Sequence, residues 1–379
     1  MIHNDEEHPI VMKLLKPLII FALGTMFGFG VAVIGYGIHS HIDFASKAHH
    51  VGDRAAAKLE KVFGTRVSAA KLDHIVPPAP YFPPAAIWTQ DVSHAPLDPQ
   101  SSTIINWLDD AGGWGNGNKM QVDWSIRVLQ ADASTPKVPF RKGPRFASPD
   151  SDNVSTFPLP ADGGIEGESG YQCTSHGDCH LIVNDRSQGK LYEAFGANYD
   201  NSALTAKSLA VWDLKRVYPP SGRGDQCTSA DAAGYPIAPL LFTADELATG
   251  SINHAIRFIL PNSRIRAKVF EHPATHAGGP QGPVSAPAYG VHFRLKASYD
   301  MSKLKPAAQV VARAMQKYGM FLSDSGSIAL SAQSDKDTKA KYTDLDFGTH
   351  DLWPLKVEDF EVVKGGEMIP LTYNCVRNP

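Results

Sequence analysis

Short runs in which apolar and polar residues alternate, closed off by Gly, Pro, Asn or Ser, recur along this chain and constrain its fold more than any other feature. In Met120–Val128 the residues Met120, Val122, Trp124, Ile126 and Val128 alternate with Gln121, Asp123, Ser125 and Arg127, after an Asn116-Gly117 turn signal. CHLIVNDRSQGKLYEAF reads as two strands around a polar, Gly-containing turn, and SLAVWDLKRV as a further strand. Residues 251 to 298 read as three more. Successive side chains on a strand point to opposite faces, so Arg264, Arg266 and Lys268 would share one face, with Ile265, Ala267 and Val269 on the other. His292, Arg294 and Lys296 would likewise oppose Val291, Phe293 and Leu295. If the two basic rows belong to one sheet and one side of it, they form a cationic floor suited to an acidic polymer; as isolated residues they are ordinary solvent-facing cations.

Helices are few. Lys305–Tyr318 places Val310, Val311, Ala314, Met315 and Tyr318 on one side and ends at Gly319, and Thr243 is a capping start for a short helix. With 32 Gly and 28 Pro favouring turns, the fold expected is mainly β: a two-sheet sandwich of jelly-roll type, preceded by one N-terminal transmembrane helix.

That helix comes from Pro17–Ile38, which carries no charge over 22 positions and would span about 33 Å as a helix, enough for a bilayer core. It exceeds a typical cleaved apolar region, so a signal anchor is expected. The chain then divides into a cytoplasmic N-terminus (1–16), the anchor (17–38), a stalk helix and Pro-rich linker (39–84) and an extracytoplasmic β-rich domain (85–379). Lys and Arg flank the anchor evenly, so the cysteines orient it. All four lie beyond residue 170, an even number that fits two disulfides in a periplasmic or extracellular space. Proximity suggests Cys173 with Cys179 and Cys227 with Cys375, although four cysteines allow three pairings.

From IWTQDVSHAPLDPQSS through PLPADGGIEG, VNDRSQGKLYE, TSADAAGYPIAPLL, INHAIRF, FRLKAS and KYGMFLSDSGS, residues 85 to 363 resemble a family of secreted bacterial proteins. The resemblance implies an extracytoplasmic β-rich domain and carries no reaction with it. EHPATH at 271–276 departs from the family pattern, which has an aromatic residue before the Pro-Ala pair.

Neither a GxSxG elbow, an HExxH motif nor a P-loop is present, and no GxGxxG follows a strand and opens a helix. A net charge of −3 gives no global basic field for nucleic acid. HGDCH sets His176, Asp178 and His180 at alternate positions, as a metal site could, but Cys173 and Cys179 interleave with them and favour a disulfide loop; no metal or cofactor is expected. The partner expected is polysaccharide, acidic where the basic rows bind it. Two reactions suit it. Glycoside hydrolysis needs paired carboxylates, and Asp213 (beside Trp212, whose flat face suits sugar), Asp185, Glu193, Glu166, Glu168 and Asp231 are candidates, Asp231 having a turn-forming role as its alternative. Elimination on a uronate needs a neutral base and cations that neutralise the carboxylate, for which His254, His276, Arg257, His292, Arg294 and Lys296 supply the types. The competing reading is a non-catalytic module that binds an acidic glycan or another envelope component.

Overall fold

A computed structural model describes residue 78 and residues 80–378 of the chain. The anchor at 17–38 and the stalk helix at 53–63 lie outside the described residues. Among the described residues no helix is long and apolar enough to cross a membrane.

The domain is mainly β. Its strands are β1 (Val122–Ile126), β2 (Val128–Ala131), β3 (Lys137–Lys142), β4 (Thr156–Pro158), β5 (Leu181–Asp185), β6 (Lys190–Phe195), β7 (Asn198–Tyr199) and β8 (Leu204–Ala206). They continue with β9 (Ser208–Asp213), β10 (Ile256–Leu260), β11 (Val269–Glu271), β12 (His292–Leu295), β13 (Met320–Ser325), β14 (Leu330–Gln333), β15 (Phe360–Val363) and β16 (Met368–Pro370). Three α-helices accompany them: α1 (Ser101–Asp110), α2 (Ala244–Thr249) and α3 (Pro306–Lys317).

Four sheets result, in the strand orders β1-β14-β10-β13-β12-β15, β2-β5-β6-β9, β4-β3-β8-β7 and β11-β16. A jelly roll would consist of two antiparallel sheets, whereas here β1 with β14, β10 with β13, β2 with β5 and β3 with β8 pair in parallel. Parallel neighbours need a crossover, and for β10 and β13 the crossover contains α3. Pro306 opens that helix and Gly319, at φ +69, lies just beyond its C-cap Tyr318. A Cβ at Gly319 would sit 2.4 Å from the His292 ring and 2.6 Å from the Phe293 carbonyl, so glycine is required there for close approach as well as for φ. The expected α2 forms with a full capping box, Thr243 accepting from Glu246 N while Glu246 accepts from Thr243 N.

The run Met120–Val128 forms two strands, not one. The chain leaves the six-stranded sheet after β1 and enters the second sheet at β2; Arg127, at the joint, pairs with Asp337 at 2.7 Å. Two apolar cores follow this division. The larger gathers Trp114, Phe258, Phe293 and Phe360, and the smaller Leu129, Phe157, Leu181 and Leu209. The hairpin of β5 and β6 forms in the expected place, with Asp185 opposite Lys190 and the Asp185 carboxylate accepting from Ser187 N and Gln188 N in the turn. Both disulfides join cysteines consecutive in chain order, first to second and third to fourth: Cys173 to Cys179 and Cys227 to Cys375. Phe82 belongs to the core, its ring packed edge-on against Trp212 and Tyr218, so packing begins inside the Pro-rich linker rather than at Ala85.

The cationic floor does not form. Asn262–Arg264 is a 3-10 turn, and Arg264 donates to the carbonyls of Gly112, Gly113 and Trp114. Arg266 makes one isolated bridge to Gly282, and Lys268 sits at φ +66 ahead of β11, so this basic row is not a strand face. On β12 the alternation is real but both faces are covered. His292 stacks on Phe321 at 3.9 Å and pairs with the Tyr318 carbonyl. Arg294 binds Glu361 and the carbonyls of Val92 and Ala95, and Lys296 donates to the Glu358 carbonyl. On β12 itself the polar half of the alternation, His292 and Arg294, is a second interior surface in which each has a protein partner, as burial of charge demands, while Lys296 lies past the strand end and is partly exposed.

Candidate functional site

The groups that converge lie where the two larger sheets meet. Asp231 stands in the loop TSADAAG, whose backbone it shapes by accepting from Ala233 N, the turn role its sequence context suggested. The loop is pinned further by Ser229, whose hydroxyl donates to the Tyr235 carbonyl. Arg257 projects from β10 and brings one nitrogen, Nη2, to 2.5 Å from Asp231 and 3.6 Å from Asp324 at the end of β13. Its Nη1 donates to Ser331 of β14. Two carboxylates thus share one guanidinium nitrogen and lie no farther apart than those two distances together allow.

Next to them His180, just ahead of β5, directs Nδ1 at Glu166 (2.6 Å) and Nε2 at the Ala230 carbonyl (3.1 Å). Both ring nitrogens face acceptors, which the doubly protonated imidazolium satisfies. Glu166 also accepts from Ser125 of β1. The network therefore runs from β1 through Glu166, His180 and the Asp231 loop to β10, β13 and β14.

Electrostatics separate the acids. Burial pushes Asp231 up to about 7, the nearby Arg257 restraining the rise and Asp324 adding to it. Asp324 also rises through burial, against the pull of Arg257. Burial acts on Glu166 in the same direction, but the His180 hydrogen bond and charge outweigh it and bring Glu166 down to about 2. Burial disfavours the His180 cation, and Glu166 overcomes this to raise it to about 9. Asp231 has no side-chain exposure, whereas Asp324 keeps 27%, so of the two only Asp324 reaches solvent. Arg257 Nε and the Tyr289 hydroxyl, both buried, have no hydrogen-bond partner in the protein.

Of the residues chosen from sequence, Asp231, Arg257, Glu166 and His180 meet here. The others do not join them. Asp213 is exposed at the end of β9 and caps the next turn through Lys215 N. Trp212 is buried and donates to Glu193, which also accepts from Ile237 N and Ala238 N, so its ring offers no face to a sugar. His254 pairs with Glu246 of α2 at 3.1 Å and with the Ala255 carbonyl, away from the partners of Arg257. His276 binds the Ala232 carbonyl, and burial lowers its pKa. Arg264, Arg266, His292, Arg294 and Lys296 are placed as described above. Lys296 borders a shallow cleft of about 460 Å³ with Tyr299, Lys303, Lys356 and Glu358, and Trp212 borders an aromatic cavity of only about 20 Å³, room for one water. Glu168 caps the Cys173–Cys179 loop by accepting from Thr174 and Ser175.

Asp324 and Tyr289 were missed. Asp324 closes an apolar run, MFLSD, and an acid in that position reads as an ordinary strand end until the fold sets Arg257 opposite it. Compared with protein-family models, curated proteins and solved structures, the chain matches none.

Proposed function

We propose that this chain is an extracytoplasmic enzyme that hydrolyses polysaccharide, held at a membrane by residues 17–38, with Asp324 as its proton donor. The observation that carries the proposal is the sharing of Arg257 Nη2 by Asp231 and Asp324. Burial makes both acids bind protons more tightly than free carboxylates even against the pull of the shared cation, and of the two Asp324 reaches solvent. Glycoside hydrolysis asks for a carboxyl that keeps its proton near neutrality and another that stays ionised. Asp324 and Glu166 have these opposed affinities within one network. Asp231 acts behind Arg257 as a positioning residue. Hydrolysis suits the site better than elimination on a uronate, because Arg257, Arg264, Arg294 and Lys296 each already bind protein groups rather than standing ready for a substrate carboxylate. The same point favours a neutral glycan over an acidic one. Two disulfides accord with an oxidising compartment.

The test uses the full-length protein in detergent with cellohexaose, the hexamer of N-acetylglucosamine, alginate and polygalacturonate. New reducing ends from a neutral oligomer, reduced by roughly 10²- to 10⁴-fold in Asp324→Asn, are expected. Unsaturated products from alginate or polygalacturonate would instead indicate elimination. Binding without turnover would make the chain a glycan-binding module, and hydrolysis undiminished in Asp324→Asn would remove Asp324 from the chemistry.

A further inference from the structure

Tyr373 is the one aromatic residue among the large apolar side chains that the described residues leave exposed; the residue is 56% accessible while Trp212, Tyr235 and Tyr289 are buried. It lies on a C-terminal strap, residues 371–378, that is fastened at several points. Cys375 is bonded to Cys227, Arg377 pairs with Asp152 at 2.7 Å, and Asn378 donates to Ser221 and Gly222. The amides of Thr372 and Tyr373 both donate to Gln226 Oε1. Tyr373 itself is held at φ +60, a backbone conformation unfavourable for a bulky side chain, and its hydroxyl donates to the Gly278 carbonyl at 2.9 Å. The exposed ring is therefore fixed in place at a cost that burial of apolar area does not explain.

Its position relates it to the acids. A Cβ on Gly278 would stand 3.0 Å from the Tyr289 hydroxyl and 3.3 Å from Ala232, the residue after Asp231. The charge of Asp324 acts on Tyr289, raising its pKa in addition to the rise caused by burial. The Tyr373 ring also meets His276 edge-on at 5.4 Å, and His276 is anchored to the Ala232 carbonyl. Tyr373 thus stands one residue removed, through Gly278 and His276, from Ala232 in the loop that carries Asp231.

We infer that Tyr373 is a substrate-binding residue on which the apolar C–H face of a neutral pyranose stacks, beside the acid site; the inference rests on the hydrolase reading above. A fixed, solvent-facing aromatic ring pays little conformational entropy on binding and offers both an apolar face and a polar tip. Trp212, the residue whose sequence suggested this role, is buried; the strap supplies the ring instead.

The experiment is calorimetric titration of cellohexaose and the N-acetylglucosamine hexamer into the full-length Asp324→Asn protein, so that the oligomer survives. Added to that background, Tyr373→Ala and Tyr373→Leu should each weaken binding about two- to twelvefold, the range an aromatic contact carries, and Tyr373→Phe should retain it. Equal affinity in Tyr373→Ala and the parent, or no binding of either oligomer, overturns the inference. So does equal weakening in Tyr373→Phe, which would trace the effect to the hydroxyl bond with Gly278. Hydrolysis by the otherwise wild-type protein that Asp324→Asn abolishes, with Tyr373→Ala binding unchanged, leaves the acid site standing and removes only the stacking role. Hydrolysis that survives Asp324→Asn refutes the acid site independently of Tyr373.

Discussion

Replacing Arg257 by Gln removes the one cation shared by two interior acids. The side chain of Arg257 is 4% exposed and that of Asp231 not at all, so water cannot take over the lost role. Breaking a buried pair from one side costs about 3–5 kcal/mol, because the remaining charge is stranded. The pH dependence can be worked from Asp231. Its pKa is about 7 in the fold against an ordinary 3.8, so the stability it contributes is complete below 3.8 and is lost as pH rises through 7. At 1.36 kcal/mol per pH unit that loss amounts to about 4 kcal/mol in the wild-type protein. Without Arg257 the folded carboxyls hold their protons more tightly still, and the loss extends to higher pH. Urea unfolding of the full-length protein at pH 5 and pH 8 should therefore show Arg257→Gln costing more at pH 8 than at pH 5. A double-mutant cycle with Asp231→Asn should recover a coupling of about 1–3 kcal/mol at pH 8. A cost below about 1 kcal/mol, or one independent of pH, would refute the claim that this guanidinium compensates buried acids.

Arg294→Gln should destabilise by about 1.5–3 kcal/mol through loss of charged hydrogen bonds to Glu361 and the Val92 and Ala95 carbonyls, while leaving alginate binding unchanged; a thermal melt and a salt-dependent pull-down check the two halves. The Glu166–His180 pair contributes stability through a His180 pKa raised to about 9, present in full below the ordinary 6.5 and lost as pH rises through 9, which NMR titration of the ring in wild type and Glu166→Gln will show. Replacing Cys375 by Ser opens a loop of 148 residues and should cost about 5 kcal/mol on chain-entropy grounds, against about 2 kcal/mol for Cys173→Ser with its separation of six, measured by urea unfolding. Alkaline phosphatase fused after residue 379 should be active if the domain lies outside the cytoplasm; an active cytoplasmic reporter in its place would reverse that topology.

Local signals in the sequence translated well wherever one segment settles its own structure. The β5–β6 hairpin, the α2 capping box, α3 with its glycine and the Cys173–Cys179 bond depend on neighbours within a few residues. The basic rows failed for a non-local reason. Alternation on β12 marks two distinct faces, and solvent is the default assignment for the polar one; the chain instead lays residues 92–95 against it, and the neighbouring strand β15 sets Glu361 opposite Arg294, so Arg294 is interior. Arg264 failed locally, since Pro261 and Asn262 turn the chain before a strand can form. At the candidate site Asp231 and Arg257 could be named individually. Their meeting could not, because it requires the parallel pairing of β10 with β13 that also delivers Asp324. Asp213 and Trp212 were chosen for adjacency in sequence, yet neighbours on a strand face opposite ways: Trp212 turns inward to Glu193 and Asp213 outward.

The strap has a bearing on how such a chain would mature under the proposed export. Cys173 and Cys179 would then cross the membrane almost together and could close at once, whereas Cys227 would travel as a free thiol until a partner 148 residues further on arrives. Order of emergence thereby selects one of the three possible pairings without an isomerase, provided the first bond closes before Cys227 reaches the oxidant. The loop that carries Asp231 begins directly after Cys227, so the docked strap adds a covalent fastening to a loop that Ser229 and Arg257 also hold. Under the proposed reading, the acid site then reaches its final form only in the finished protein.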